Sequence, residues 1–452
     1  MKYAVKKTSV VILLFSSFLA SPSSGQDSRV APAPALGPEL PYTEVLAPPM
    51  PVSERMPLAF STETPPQNFL TMGIEVGNAF DDNALLTSSD RTRNMSYILL
   101  PSIEIGQSRS RMRWDLAYRP GLTVNQKVSE RNEFAQGLSF VFDYRLSAHV
   151  GLRLREGFEK TDNAFLGVVQ GSQAPGSVPG QTPNFSAVTP LANRTSNISA
   201  VDLTYQFGAN SVVGASGNYY LTNYSHDASS TTSLVDSNSV GADSFYAHRF
   251  ANRHWAGLMY NFQRLQFQPG NRTNVQRAPL FYAVSIGTHT MLSVWAGPEY
   301  SITPQAVPTS TPGASDSRWG AMGGADFSWQ GARTALRAGY LQQTTDGGGL
   351  AEAVVLKAFR AEVHRRLTMR WTLTADLALS HDDPLYHTSG ISPYQTWTGG
   401  GGFEYAFTDR WMMRLRYDRE HLYTDTTPSV SPTNRNRVLI SFGYSFSRPL
   451  GR

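Results

Sequence analysis

The side chains of this sequence that could do chemistry are arginines and carboxylates set at every second position of short alternating segments. In residues 403–420, FEYAFTDRWMMRLRYDRE, Phe403, Tyr405 and Phe407 alternate with Glu404, and the chain turns at Thr408, Asp409 and Arg410. Trp411, Met413, Leu415 and Tyr417 then alternate with Arg414, Arg416 and Asp418. A period of two on both sides of a tight turn is a β-hairpin with one apolar and one charged face. The same parity gathers Arg111, Arg113, Arg153, Arg155, Arg333 and Arg337 with Asp115, Asp202 and Asp376, and extends to Glu75, Asp143, Asp243, Arg249, Arg318 and Arg437. An Arg turned to lipid at mid-bilayer costs about 2–4 kcal/mol, so on a membrane barrel these groups belong to a lumen. Two chemistries fit such a face. Arg rows could draw anionic or sugar-like solutes through a polar pore. Alternatively the two signs, being close to balanced, pair across strands and brace the wall.

Other candidate clusters carry less chemistry. His381, Asp382, Asp383 and His387 could ligate a metal or form an acid–base pair, but their spacing matches no motif with a mechanism, and Pro384 and Gly390 mark a solvated loop. Asp81, Asp82 and Asn83 lack the further ligands and closing Glu of a calcium loop, and turn chemistry accounts for them. No serine sits in a nucleophile-elbow setting. The expectation is a protein without catalytic residues, bound metal or cofactor.

Positioning those charged faces takes many strands. Charged residues are 16% of the 452, aromatics 11%, and Gly numbers 37. Beyond the N-terminus no apolar run approaches the ~20 residues of a membrane helix, whereas a barrel hides its apolar residues at alternate positions. There is no cysteine, which excludes disulfides, thiolate metal sites and cysteine nucleophiles. The formal charge of +4 includes Lys2, Lys6 and Lys7, and its small size gives no footing for a nucleic-acid partner.

From residue 69 onward, short turns alternate with longer polar loops. The turns fall near residues 107–109, 147–148, 208–210, 251–253, 288–289, 330–331, 367–368 and 408–410. The loops are residues 81–93, 123–132, 163–194, 225–238, 267–273, 303–317, 344–349, 380–395 and 424–434. Short periplasmic turns and longer outward loops are the pattern of a transmembrane barrel. The predicted fold is all-β, an antiparallel up-and-down barrel of about 18 strands, 16 being the neighbouring even count. Apolar parity faces outward at Met112, Trp114, Leu116 and Tyr118, and again at Val438, Ile440, Phe442, Tyr444 and Phe446. Tyr144, Phe207, Phe250, Trp255, Trp329, Trp371, Phe407 and Trp411 stand beside short turns and form the predicted periplasmic aromatic girdle. Pro101, Pro279 and Pro298 fall inside predicted strands, where they imply bulges or strand ends. Residues 350–367 have helical character, but HRRLTMRW repeats the turn pattern of YAFTDRW and predicts a strand.

The N-terminus divides off. Residues 1–25 have the basic, apolar and small-residue parts of a cleaved signal peptide, residues 26–67 are a Pro-rich periplasmic segment, and residues 68–452 hold the barrel.

The first predicted hairpin, GIEVGNAFDDNALLTSSD at residues 73–90, resembles the putative β-barrel porins of Gram-negative outer membranes, as do turns of the Tyr144–Arg145–Leu146–Ser147 kind. Some members of that family are linked to exopolysaccharide export. The resemblance implies an outer-membrane barrel whose last aromatic strand is read by the barrel-assembly machinery. A porin-like passive channel for small polar or anionic solutes is the leading functional expectation. Export or anchoring of surface polysaccharide with periplasmic partners is a second, and a plugged structural or adhesive barrel acting through residues 163–194 is a third.

Overall fold

The computed structural model describes residues 68–161, 193–224, 234–251, 253–268, 270–287, 289–304, 315–385, 393–424 and 433–450. The signal peptide, the Pro-rich segment, nearly all of the loop at 163–194, and His387 lie outside the described residues.

The architecture is one closed antiparallel sheet. In wall order it runs β1 (Phe69–Asp81), β2 (Asn94–Ser108), β3 (Met112–Asn125), β4 (Glu133–Arg145), β5 (Val150–Thr161), β6 (Arg194–Gln206), β7 (Ser211–Tyr224), β8 (Ser237–Phe250) and β9 (His254–Phe267). It continues through β10 (Arg272–Arg277), β11 (Leu280–Ile286), β12 (Thr290–Pro304), β13 (Ser315–Gln330), β14 (Thr334–Thr345) and β15 (Val354–Arg366). β16 (Trp371–Pro384), β17 (Tyr394–Ala406), β18 (Trp411–Thr424) and β19 (Thr433–Pro449) complete it. β1 pairs with β2 on one side and with β19 on the other, from Phe69 opposite Pro449 to Asp81 opposite Arg437, and this seam closes the ring.

β10 and β11 are two parts of one stave, so the 19 strand segments make an 18-strand barrel. Pro279 interrupts the ladder without shifting it: Arg277 opposite Asn261 and Leu280 opposite Leu258 keep one register. Met259 N still donates to Pro279 O at 3.0 Å. Gly297 lies across from Pro279, and a Cβ there would come within 2.4 Å of Pro279 Cα, so only glycine allows the approach. Pro101 and Pro298 likewise sit inside β2 and β12. Pro279 thus marks a strand end, one of the two outcomes expected, and at none of the three prolines does the register shift as a bulge would shift it.

The helical look of residues 350–367 resolves as β15. Two of the short turns are built alike: Thr368 Oγ1 accepts from Arg370 N and Trp371 N, and Thr408 Oγ1 accepts from Arg410 N and Trp411 N, at 3.1–3.2 Å. Ser147 Oγ does the same for His149 N and Val150 N. A side-chain oxygen that satisfies two turn amides fixes a tight reversal without glycine.

Large apolar side chains cover the outside. Met72, Ile74, Val76 and Phe80 on β1, and Val438, Ile440 and Phe442 on β19, are all exposed. A continuous apolar exterior of this extent on a closed barrel is a lipid-facing belt. Its lower rim carries packed rings, Tyr144 stacked on Phe142 and Phe207 on Tyr246, with Trp371 tilted against Tyr405 and Trp411 against Tyr444. Trp255 does not belong to this rim. It pairs across to Arg249 and Ala283, which face the interior, and the Arg249 guanidinium lies 5.6 Å above its ring. His254 takes the outward place, stacked between Phe250 and Tyr282.

Candidate functional site: a lumen in two halves

The interior of the barrel has two kinds of wall. Along β14 to β19 and on through β1 to β6 it is charged, and the charges are paired. Arg414 Nε donates to Glu404 at 2.8 Å while its Nη1 reaches Glu75 at 3.2 Å. Arg416 lies between Asp418 and Asp376, 2.7 Å from each. Arg435 bridges Asp81 at 2.5 Å and Glu420 at 3.4 Å. Further round stand Arg113–Asp115 at 3.0 Å, Arg153–Asp143 at 2.6 Å, Arg155–Asp202 at 2.8 Å and Arg337–Glu362 at 3.3 Å. Gly400, opposite Asp418, leaves the space in which Arg416 and Asp418 lie flat: a Cβ would meet both side chains. Arg437, 8% exposed, and Arg360, on the same face of β15 as Glu362, are exceptions: among the described residues neither forms an ion pair.

Arg113, Asp115, Arg153, Arg155, Asp202, Arg337, Asp376, Glu404, Arg414, Arg416 and Asp418 are therefore on the lumen side of their strands. Arg111 and Arg333 are not on the strand wall. Each precedes its strand and belongs to a short turn, where its carbonyl accepts from Arg145 N or Arg366 N.

Along β7 to β13 the interior is apolar below, and above it is polar and tightly bonded, with Asp243 held by Ser216 and Asn261 and a buried Arg277–Glu299 pair. Ala247, Phe281, Trp295 and Met322 form a buried cluster with Phe245, Trp255 and Leu341 against it. The rings lie along the wall because each faces a glycine directly across: Phe245 opposite Gly214, Phe281 opposite Gly257, Trp295 opposite Gly324. A Cβ at any of the three would strike the ring. Covering a strand glycine with a neighbouring ring protects its backbone and keeps the ring out of the pore.

Above this cluster an element crosses the interior. The β13–β14 ladder stops at Gly323 opposite Gln342, whereas β14 stays paired with β15 up to Thr345 opposite Val354. By alternation with Tyr340 and Gln342, Thr344 would face lipid, yet it is fully buried. Its Oγ1 donates to Glu299, its N–H donates to Glu299 Oε2 at 3.1 Å, and its carbonyl accepts from Arg277 Nη2. Glu299 and Arg277 are lumen-side residues of β12 and β10, joined at 2.7 Å, and Arg277 also donates to Asn261 and Gln263.

The tip of this hairpin, residues 346–353, continues to the far wall. Ser237 of β8 donates to Asp346 at 3.2 Å, Val235 N to Gly349 O at 2.8 Å, and Tyr394 of β17 to Gly347 O at 3.4 Å. Four staves, β9, β10 with β11, β12 and β13, separate β8 from β14 in the wall, so these bonds run through the interior. Gly348 and Gly349 have φ of 59° and 109°, and Gly349 lies against the Tyr224 ring, so the tip needs their freedom. The loop expected to project outward at residues 344–349 instead folds inward.

At the outer rim, Asp81, Asp82 and Asn83 are turn residues. Asn83 Nδ2 donates to Thr87 O and Asn434 O, and Asp82 accepts from Asn436. His381 lies in β16 rather than in a loop, in a small ion cluster with Asp383 and Lys357 at 2.7 Å each. Among the described residues no group of side chains is arranged to hold a metal ion.

No protein-family model and no curated protein sequence matches the chain. Among solved structures it is similar to Pseudomonas aeruginosa OccK2 (OpdF), at 11% identity and a TM-score of 0.42, covering 84% of this chain and 98% of that one. It is also similar to a BenF-like porin from Pseudomonas fluorescens Pf-5, at 12% identity and 0.41, covering 83% and 99%. Acinetobacter baumannii OccAB3 stands at 9% and 0.40, covering 84% and 99%. The fold assignment here rests on the strand pairing itself.

Proposed function

We propose that this protein is a porin-like passive channel of the Gram-negative outer membrane, conducting small polar solutes through a lumen narrowed by the β14–β15 hairpin. One observation carries the reading. In a closed barrel with a lipid-facing belt, the hairpin covers the β7 to β13 half of the interior, anchored on its Arg277–Glu299 pair, and leaves the paired-charge arc of β15 to β19 and β1 to β6 as the water-filled side. Charges held in pairs hydrate a path without committing it strongly to one ionic sign. Arg437 and Arg360, lumen-side guanidinium groups without an ion-pair partner among the described residues, tip the balance toward anions.

The test is single-channel conductance of the refolded barrel in a planar bilayer, beside a variant in which residues 346–353 are replaced by a two-residue turn. The native protein is expected to give small stable steps with weak anion preference, and the shortened variant several-fold larger steps. Silence from both proteins, shown to be folded, would overturn the reading.

A further inference from the structure

The outward face of β9 changes chemistry along its length. From the short turn upward its lipid-side residues are His254, Ala256, Leu258, Tyr260 and Phe262, followed by Arg264 and Gln266. Leu258 and Tyr260 are 50% and 46% exposed, so the apolar stripe is open to lipid.

Its upper end broadens sideways into a polar recess. Gln266 has Asn238 of β8 on one side and Arg272 of β10 on the other. One step nearer the membrane, Arg264 lies between Val240 and Asn274, and its Nε donates to Asn274 Oδ1 at 3.1 Å. The recess has a volume of about 640 Å³; Gln268 and Asn271 add polar groups to its lining, Leu234, Val235 and Phe267 add apolar ones, and Arg264 lies just below it, outside the lining. Among the described residues neither Arg264 nor Arg272 forms an ion pair, and the side chains of Asn238, Gln266 and Gln268 make no hydrogen bond. The carboxylate in the lining, Asp236, is occupied by Tyr224 N at 2.8 Å, and Asn271 Nδ2 by Ala351 O at 3.3 Å.

We propose that this recess seats the phosphorylated sugar head of an outer-leaflet glycolipid, whose acyl chains run down Leu258, Tyr260 and Phe262. Two uncompensated guanidinium groups suit a phosphate, which each can engage through parallel N–H donors. Three free primary amides offer both donors and acceptors, the complement of sugar hydroxyls. The apolar stripe directly beneath selects a lipid over a soluble sugar phosphate, since a chain packed there leaves water while its head stays at the recess. Asn238, Arg264, Gln266 and Arg272 face away from the lumen, on the side of the recess opposite Asn271 and Val235, which touch the infolded hairpin. The proposal rests on the barrel lying in an outer membrane and is independent of whether it conducts.

Native mass spectrometry of the full folded chain, released from detergent, tests this with three probes: a diglucosamine glycolipid carrying phosphates, the same lipid dephosphorylated, and soluble glucosamine phosphate. One phosphorylated lipid per barrel is expected. Removing its phosphates, or changing Arg264→Gln with Arg272→Gln, is expected to weaken retention roughly 10- to 100-fold, the loss of charge-assisted contacts to one anion. The Arg264→Lys, Arg272→Lys protein, which keeps the charge and guards against a folding defect, is expected to retain the lipid at an intermediate level. Channel conductance is expected to be the same for all three proteins. Equal retention by the Gln variant would overturn the site, and equal binding of soluble glucosamine phosphate would overturn its assignment to a lipid.

Discussion

Arg414 and Arg416 show why a charged lumen need not be a selective one. Each guanidinium has two carboxylates within hydrogen-bond reach, Glu404 and Glu75 for Arg414, Asp418 and Asp376 for Arg416. Of the two chemistries open at the sequence level, the geometry favours bracing for these residues, and parity alone could not have decided it because pairing depends on register. Selectivity should then shift toward cations with either of two Arg substitutions, but to different extents. Arg437→Gln removes a cation that forms no ion pair, so the anion preference should fall. Arg414→Gln leaves Glu75 and Glu404 uncompensated, so the pore should turn cation-selective. Reversal potentials under a salt gradient read both, and an unchanged potential in each would place these residues off the conducting path. The turn hydroxyls make a separate prediction about stability. Thr408→Val keeps the shape but leaves two turn amides without their acceptor, and should cost about 1 kcal/mol in urea unfolding of the detergent-bound barrel. A loss below a few tenths would mean that water replaces the hydroxyl freely.

At the level of elements, the alternation of short turns and long loops was legible because each outward side chain meets lipid and each inward one meets water, which enforces a period of two. The infolded hairpin was not legible, because parity assigns side chains to faces and says nothing about the direction in which a loop bends. A signal was nonetheless present. Residues 346–349 read Asp-Gly-Gly-Gly, a turn with little charge that can be buried, where other loops carry Asp, Asn and Ser. Parity placed Leu280, Tyr282, Val284 and Ile286 of β11 outward correctly, with Leu280 and Ile286 exposed and Phe281 and Ala283 buried. Trp255 was misplaced because nearness to a short turn does not say which face a ring takes; it packs within the interior cluster beside Phe281. The crossing can be trapped chemically. The chain lacks cysteine, so Ser237→Cys with Asp346→Cys creates the only two thiols. Their parent side chains touch at 3.2 Å, and mild oxidation should join them in the folded barrel without altering conductance. The pair Ala321→Cys with Thr344→Cys should stay reduced, since those residues would meet only if β14 continued along β13 beyond Gln342. Cross-linking of the second pair would show that the hairpin swings out into the wall.

For the whole molecule, the decisive contact is the seam between β1 and β19, a ladder that runs the full length of β1, as does the one between β1 and β2. An open sheet of this width would expose two unsatisfied edges to hydrocarbon, each free backbone group costing several kcal/mol, so closure is a condition of membrane insertion. An even number of staves then puts the start of β1 and the end of β19 on one side, the side of the short turns. Leu450 N donating to Asn68 O, 2.8 Å apart, ties the two ends together there. Short turns face the periplasm in barrels of this construction, which fixes the orientation of everything else. Under that orientation Ser129–Arg131, a single 3₁₀ turn between β3 and β4, faces the outside, and Asp409 faces the periplasm. Single cysteines at Glu130 and Asp409, introduced into the cysteine-free chain, should therefore differ when intact cells are treated with a maleimide too large to pass the pore. Glu130→Cys should label at once, and Asp409→Cys only after the outer membrane is permeabilised. The reverse pattern would turn the barrel over, placing the infolded hairpin at the periplasmic mouth and the Arg264–Arg272 recess in the inner leaflet, where the proposed glycolipid would not be found.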